Sequence, residues 1–238
     1  MELSIIILNY NVKYFLDICL KSVIAATSNV DAEIIVVDNH STDGSVTTLE
    51  QKFPEVIFIA NTTNLGFSKG NNQGVKIAKG NHVCILNPDT VVAEDTFLKL
   101  LKFVKTKPNF GVVGCKLVDG TGRFLPESKR NVPIIERALK KLYGIDNTYY
   151  ANHVEPDAVG EVDILVGAFM FMNKKVYDQV GGFDEDYFMY GEDIDLSYKL
   201  LKSGFQNYYF GKTTCIHYKG ESTVRNNSYY KRFFGAMK

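Results

Sequence analysis

Leu3-Ser-Ile-Ile-Ile-Leu-Asn-Tyr-Asn11 is the stretch from which the fold can be read. Leu3 to Leu8 is a short, β-branched apolar run that stops abruptly at Asn9-Tyr10-Asn11. It is apolar at successive positions rather than at alternate ones, so both faces of the strand need cover. That is the signature of a strand inside a parallel sheet with helices on either side.

Working outward, the same run recurs. Val12 to Ala26 carries helical spacing at Phe15, Ile18, Cys19, Leu20 and Val23. Glu33 to Val37 is a second buried strand. Ser41 to Phe53 follows as a helix, with Ser41 and Asp43 near its N-cap. Val56 to Ala60 is a third strand, and Gly66 to Lys79 a helix closed by Gly80. His82 to Leu86 is a fourth strand, Glu94 to Lys105 a helix, and Phe110 to Lys116 a fifth strand. Such alternation predicts an α/β fold, a Rossmann-like, mostly parallel sheet with helices on both faces. Right-handed crossovers then put the loops after Leu8, Val37, Ala60 and Leu86 along one edge, where open α/β sheets bind ligands.

Residues 118 to 160 change character, with Gly120, Gly122, Pro126, Pro133 and Pro156 among many polar residues. They read as loop-rich with one helix near Ile134 to Tyr143. An apolar stretch (Glu161 to Met172), an acidic helix (Tyr190 to Ser203) and two strand-like pieces (Asn207 to Phe210, Thr214 to His217) come next. This change of character divides the chain into a first part over 1–117 and a second part of the same domain over 118–223. Residues 224–238 read as a basic aromatic tail, either a helix packed on the body or a frayed end, or else a contact with a membrane surface or partner.

The whole chain is 238 residues, large enough for a real core. Its 27 basic and 27 acidic side chains cancel, which argues against a partner that is a nucleic acid polymer. Cys19, Cys84, Cys115 and Cys215 form no CxxC pair, so buried free thiols in a reducing compartment are expected. No secretory leader is expected at Met1-Glu2-Leu3-Ser4, and no apolar run reaches the ~20 residues of a membrane span. A cytoplasmic protein, at most lying against the inner face of the membrane, is the corresponding expectation.

Polar clusters stand at each of the four strand ends. Asn9-Tyr10-Asn11 could hydrogen-bond and stack on a heterocycle, though these are also ordinary turn residues. Asp38-Asn39 could accept hydrogen bonds from a base or ribose. Asn64-Leu65-Gly66-Phe67 leads into Asn71 and Asn72, which disfavour a helix unless their amides find partners. Asn87-Pro88-Asp89 puts a carboxylate where a divalent metal could bridge two phosphates. Glu192, Asp193 and Asp195 crowd the first turn of the acidic helix; they either complement its positive end or supply a general base. His217 alone reads as structural, but beside Asp89 it becomes a metal ligand.

Taken in order, these passages resemble glycosyltransferase family 2, especially its rhamnosyltransferase-like branch, over about residues 3 to 223. The resemblance implies a GT-A fold, with a nucleotide-sugar-binding half over 1–117 and a smaller acceptor-binding, catalytic half of the same domain over 118–223, and transfer of a sugar, with inversion, from a nucleotide-diphosphate donor. That donor would be a UDP- or dTDP-sugar and the acceptor a hydroxyl of a glycan or lipid-linked acceptor. It implies that Asn9, Tyr10, Asn11, Asp38, Asn39, Asn64, Gly66, Phe67, Asn71, Asn72, Asn87 and Asp89 bind the donor. Gly167, Ala168, Phe169, Glu192 and Asp195 would then meet the acceptor. Asp89 and His217 would hold Mg²⁺ or Mn²⁺, and Asp193 would be the catalytic base. Asn87 departs from the family's DxD pattern, being a neutral and weaker ligand. Two other readings compete. A nucleotidyltransferase needs a glycine-rich basic loop that residues 8–12 lack; a non-catalytic sugar-nucleotide-binding module has no use for a base.

Overall fold

The computed structural model describes residues 1–132 and 149–219. The helix expected near Ile134 to Tyr143 and the tail over 224–238 lie outside the described residues. The elements in chain order are β1 (Leu3–Asn9), α1 (Lys13–Thr27), β2 (Ala32–Asp38), α2 (Ser45–Lys52), β3 (Ile57–Ala60), α3 (Phe67–Ile77), β4 (His82–Leu86) and β5 (Thr90–Val92). Then come α4 (Thr96–Val104), β6 (Phe110–Val118), a 3₁₀ turn (Pro126–Ser128), β7 (Lys129–Arg130), β8 (Val159–Glu161) and β9 (Ile164–Leu165). The last are β10 (Phe169–Asn173), α5 (Lys174–Gln179), α6 (Glu192–Lys202) and β11 (Gln206–His217).

The main sheet runs β3-β2-β1-β4-β10-β6-β11-β5, with β8 also on β11; β7 and β9 form a small second sheet. Strands β3, β2, β1 and β4 are parallel, as their doubly apolar runs require. Leu3, Ile5 and Ile7 enter one core with Ile34, Val36, Cys84 and Leu86. Ile6 enters the opposite core with Ile35, Val37, Val83 and Ile85. Period-two alternation thus feeds two apolar layers from one strand. The first is closed by α1 and α4 through Leu16, Leu20, Phe97 and Leu100. The second is closed by α3 and α6 through Val75, Leu196 and Leu200. α3 lies close on the sheet because Gly74 has no side chain; a Cβ there would sit 2.5 Å from Ile6 Cγ2.

The sequence expectation needs four corrections. The strand beyond β4 is not β6. β10 inserts between them, antiparallel to both, so the sheet is mixed. β10 can do this because Phe169 and Phe171 enter one core while Met170 and Met172 enter the other. The pieces at 207–210 and 214–217 form one strand, β11, whose register against β6 slips between Phe210 and Thr214. β5, three residues long, carries too little pattern to be read and exists because it pairs with the end of β11. Helix α2 begins at Ser45 rather than Ser41, since Ser41 and Asp43 bind the preceding loop. All four cysteines are free and buried, as expected.

Candidate active site

The loops after β1, β2, β3 and β4 open on one cleft of about 1010 Å³, whose lining also takes in residues 166–168, Tyr187, residues 189–195, His217 and Lys219. The loop edge owes its order to side-chain amides and carboxylates. Asn9 and Asp38 are register partners at the ends of β1 and β2. Asn9 Nδ2 donates to Asp38 Oδ1 at 2.7 Å, and Asp38 Oδ2 accepts from the Ser41 N–H at 2.8 Å. Asn11 holds a positive φ of 56° and accepts from the Thr42 N–H at 2.7 Å. These contacts pin the two loops together and leave Tyr10, 41% exposed, to present its ring to the cleft.

Asn39 Nδ2 donates to the Gly66 carbonyl at 2.9 Å, and Asn64 Oδ1 accepts from the Gly66 N–H at 2.9 Å. Gly66 has φ of +84°, and a Cβ would lie 2.5 Å from the Phe188 carbonyl oxygen. That carbonyl instead accepts from the Phe67 N–H at 2.6 Å. The loop before α3 is thereby joined to the wall formed by residues 187–191.

Two of the donor-side residues turn elsewhere. Asn72 donates to the Phe183 carbonyl at 2.9 Å and accepts from the Phe183 N–H at 3.1 Å and from the Tyr177 hydroxyl. Its amide thus ties α3 to the segment after α5. Asn71 is fully buried and returns its Nδ2 to the Phe67 carbonyl, one turn back, at 3.0 Å. The amide nitrogens of both residues find protein partners, while Asn71 Oδ1 has none among the described residues. Neither residue lines the cleft, and neither do Asn9, Asn11 or Asp38, which support those that do.

The pairing of β5 with β11 sets His217 against Thr90. His217 Nε2 consequently lies 3.4 Å from Asp89 Oδ1, and both side chains are almost wholly buried. Asp89 Oδ1 and His217 Nδ1 have no hydrogen-bond partner among the described residues. A carboxylate oxygen and an imidazole nitrogen so placed suit a divalent cation that draws its remaining oxygens from phosphates and water. No group of three or more His, Cys, Asp or Glu that could hold a metal occurs among the described residues. Asn87 and Pro88 reach the cleft wall, as does His217; Asp89 stands behind them.

Gly167, Ala168, Glu192, Asp193 and Asp195 line the same cleft. Phe169 does not: it is buried in the core, its ring stacked at 6.4 Å on Phe97. Asp193 Oδ2 accepts from Arg130 Nη2 at 2.6 Å and from the Gly167 N–H at 3.1 Å. Burial is the largest influence and disfavours the Arg130 cation, but the charges and hydrogen bonds of Asp193 and Tyr149 together outweigh it and raise the guanidinium above its ordinary range. Burial, then the Asp193 charge, push the Glu192 carboxyl up to about 8. Asp195 pairs with Lys199, one turn on, at 3.0 Å.

His217 and the acids Glu192, Asp193 and Asp195 therefore line one cavity. The chain matches the family described as glycosyl transferase family 2 over residues 4–181. It belongs to that family. Among curated relatives of this glycosyltransferase is the N-acetylglucosaminyl-diphospho-decaprenol L-rhamnosyltransferase of Mycobacterium tuberculosis, 27% identical over 94% of this chain and 78% of that protein. Rhamnosyltransferase WbbL of Escherichia coli is 29% identical over 71% of this chain and 66% of its own length. The solved mannosyltransferase PcManGT from Pyrobaculum calidifontis, in complex with GDP-Man and Mn²⁺, superposes with a TM-score of 0.69 at 19% identity. That match covers 97% of this chain and 60% of PcManGT, and it establishes the GT-A fold.

Sequence reasoning missed Arg130, Glu127 and Lys219, which also line the glycosyltransferase cleft. Lys219 pairs with Glu127. Arg130 and Glu127 lie in the segment read as loop, where a two-residue strand and a single 3₁₀ turn leave no periodic signal.

Proposed function

We propose that this chain transfers a hexose, L-rhamnose by the names of two curated relatives, from a nucleoside-diphosphate sugar to an acceptor hydroxyl with inversion. The observation that carries the reading is the shared cleft, lined both by His217 and by the Glu192–Asp193 pair. A nucleotide lying over the loops would find Tyr10 to stack on and the polar edges of Asn39, Asn64 and Asn87. Its diphosphate would lie towards His217, with Asp89 behind. A divalent cation held there, Mn²⁺ or Mg²⁺, would offset the charge that develops on the departing nucleoside diphosphate. Mn²⁺ in the PcManGT complex supports that assignment. Residues 1–117 would thus bind the donor, and 118–223 the acceptor. The sugar would sit between, its anomeric carbon open to a hydroxyl brought up along Gly167 and Ala168. One carboxylate of the acidic pair takes that hydroxyl's proton; a general base is worth about 10² to 10⁴ in rate.

The acceptor is proposed to be a lipid-linked glycan, by analogy with the diphospho-decaprenol named for the mycobacterial relative. Transfer would then take place at the inner face of the membrane. Among the described residues no helix is long and apolar enough to cross one.

The test is a thermal-shift panel of UDP-, dTDP- and GDP-sugars with and without Mn²⁺. The matching donor at ~100 times its Kd should raise Tm by roughly 5–10 °C. Asp89→Ala should remove the metal-dependent part of that shift. If no nucleotide-sugar shifts the wild type under either condition, the proposed function is wrong.

A further inference from the structure

The cleft does not end at the acids that open α6. Residues 191–195 and Tyr198 line it, whereas Leu196 and Ser197 are fully buried on the other side of the helix. Ile194 and Asp195 stand four and three residues before Tyr198, spacings that share a helix face. The cavity therefore continues from the first turn of α6 along this face for another turn. Tyr198 lies five residues beyond Asp193, about 7.5 Å of helix rise.

Tyr198 is not a core residue. It is 41% exposed. Lys202, one turn on, sets its Nζ over one face of the ring, 5.3 Å from the centroid. Lys202 does not line the cleft, so the face it covers is the one turned away from the cavity. Asp195 shares the cleft side of the helix. It is held by Lys199 Nζ at 3.0 Å, and the same ammonium donates to the Gly182 carbonyl at 2.8 Å. Tyr187 lines the cleft from the preceding loop; burial, then the charges of Asp195, Asp184 and Glu192, raise its phenol above the ordinary range.

An aromatic face beside a fixed carboxylate is complementary to a pyranose. A sugar of gluco configuration carries C–H bonds on its flat faces and hydroxyls around its rim. The slightly positive C–H hydrogens rest on the electron-rich face of an aromatic ring. The rim hydroxyls donate to a carboxylate, a charge-assisted bond. A polyol-phosphate chain has no such face, and it would bring its negative charge towards Glu192, Asp193 and Asp195.

We propose that Tyr198 is the stacking platform for the acceptor's terminal sugar, a pyranose with an apolar face, and that Asp195 takes a hydroxyl of the same ring. This rests on the transferase reading and names the part of the acceptor that α6 recognises. Tyr198 is thus a specificity-determining residue, one that holds the acceptor away from the reacting atoms.

The experiment compares wild type, Tyr198→Phe and Tyr198→Ala. The donors are UDP-glucose, UDP-N-acetylglucosamine, GDP-mannose and dTDP-rhamnose, each with Mn²⁺, and nucleoside diphosphate release is followed. Two synthetic acceptors carry the same GlcNAc-diphosphate head, one on a short alkyl chain and one on a polyprenyl chain. Tyr198→Ala should raise acceptor KM about tenfold with both acceptors, with kcat and donor KM within about twofold of wild type. Tyr198→Phe keeps the ring and should stay within about threefold of wild type in acceptor KM. Alanine is a good helix former at a part-exposed position, and a donor-induced rise in Tm matching that of wild type verifies the fold. Tyr198→Gln, equally without a ring, gives the same reading if Tyr198→Ala folds poorly. An unchanged acceptor KM in the folded ringless variant, an equal loss in Tyr198→Phe, or a loss confined to the polyprenyl acceptor overturns the stacking assignment and leaves the transferase standing. Absence of turnover by wild type with every donor overturns both.

Discussion

At the scale of single residues, the adjacent acids 192 and 193 differ in what their oxygens touch: Asp193 accepts from Arg130 and the Gly167 N–H, whereas Glu192 Oε2 has no hydrogen-bond partner among the described residues. The raised carboxyl of Glu192 also has a consequence for stability. Its affinity for a proton is higher folded than unfolded, so the folded state binds more protons between about pH 4.5 and 8. Stability linked to this group is full below the ordinary carboxyl range and is lost as pH rises through about 8. Glutamine has no charge to bury. Glu192→Gln should therefore melt close to wild type at pH 4.5 and on the order of 10 °C above it at pH 8.5, by calorimetry at both values. Equal melting at pH 8.5 would mean that the carboxylate is better solvated than its burial indicates.

Elements act here through the places where one fastens to another. α3 is joined to the wall over 187–191 at Gly66, where positive φ and the Phe188 carbonyl exclude a side chain. Gly66→Ala must move that carbonyl or the loop. The expected result is a rise in donor KM of about tenfold, with Tm lower by several degrees, measured by initial rates and thermal melting. An unchanged KM would show that the loop position is immaterial to the donor. α3 also explains the two amides whose helix propensity is poor. Asn71 Nδ2 closes on its own helix, while Asn72 grips Phe183 and so anchors the helix to a distant segment. Sequence could register the misfit but not the identity of the partner.

Over the whole molecule, one sheet joins the two halves of the chain. β10 arrives from beyond residue 118 and takes the central place between β4 and β6. Phe171→Ala there should destabilise by about 3–5 kcal/mol in urea unfolding, because both neighbouring strands lose the same packing partner. A loss under ~1 kcal/mol would mean that β10 is dispensable to the sheet. The cleft depends on this arrangement, since Gly167 and Ala168 sit at the entry to β10. By itself the sequence determined the four parallel strands β1 to β4, their helices and the polar loop edge. Runs apolar at successive positions can be satisfied only between two covered faces, and that requirement is local. It also placed Tyr10, Asn39, Asn64, Gly66, Phe67, Asn87, Glu192, Asp193, Asp195 and His217 among residues that line one cavity. Tertiary structure alone decided that His217 meets Asp89 and that Arg130 occupies Asp193. The first follows from the register of β5 on β11, the second from a two-residue strand in a loop-rich segment. Pairings between distant stretches depend on ladder register and packing, and neither leaves a periodic trace in the residues that meet.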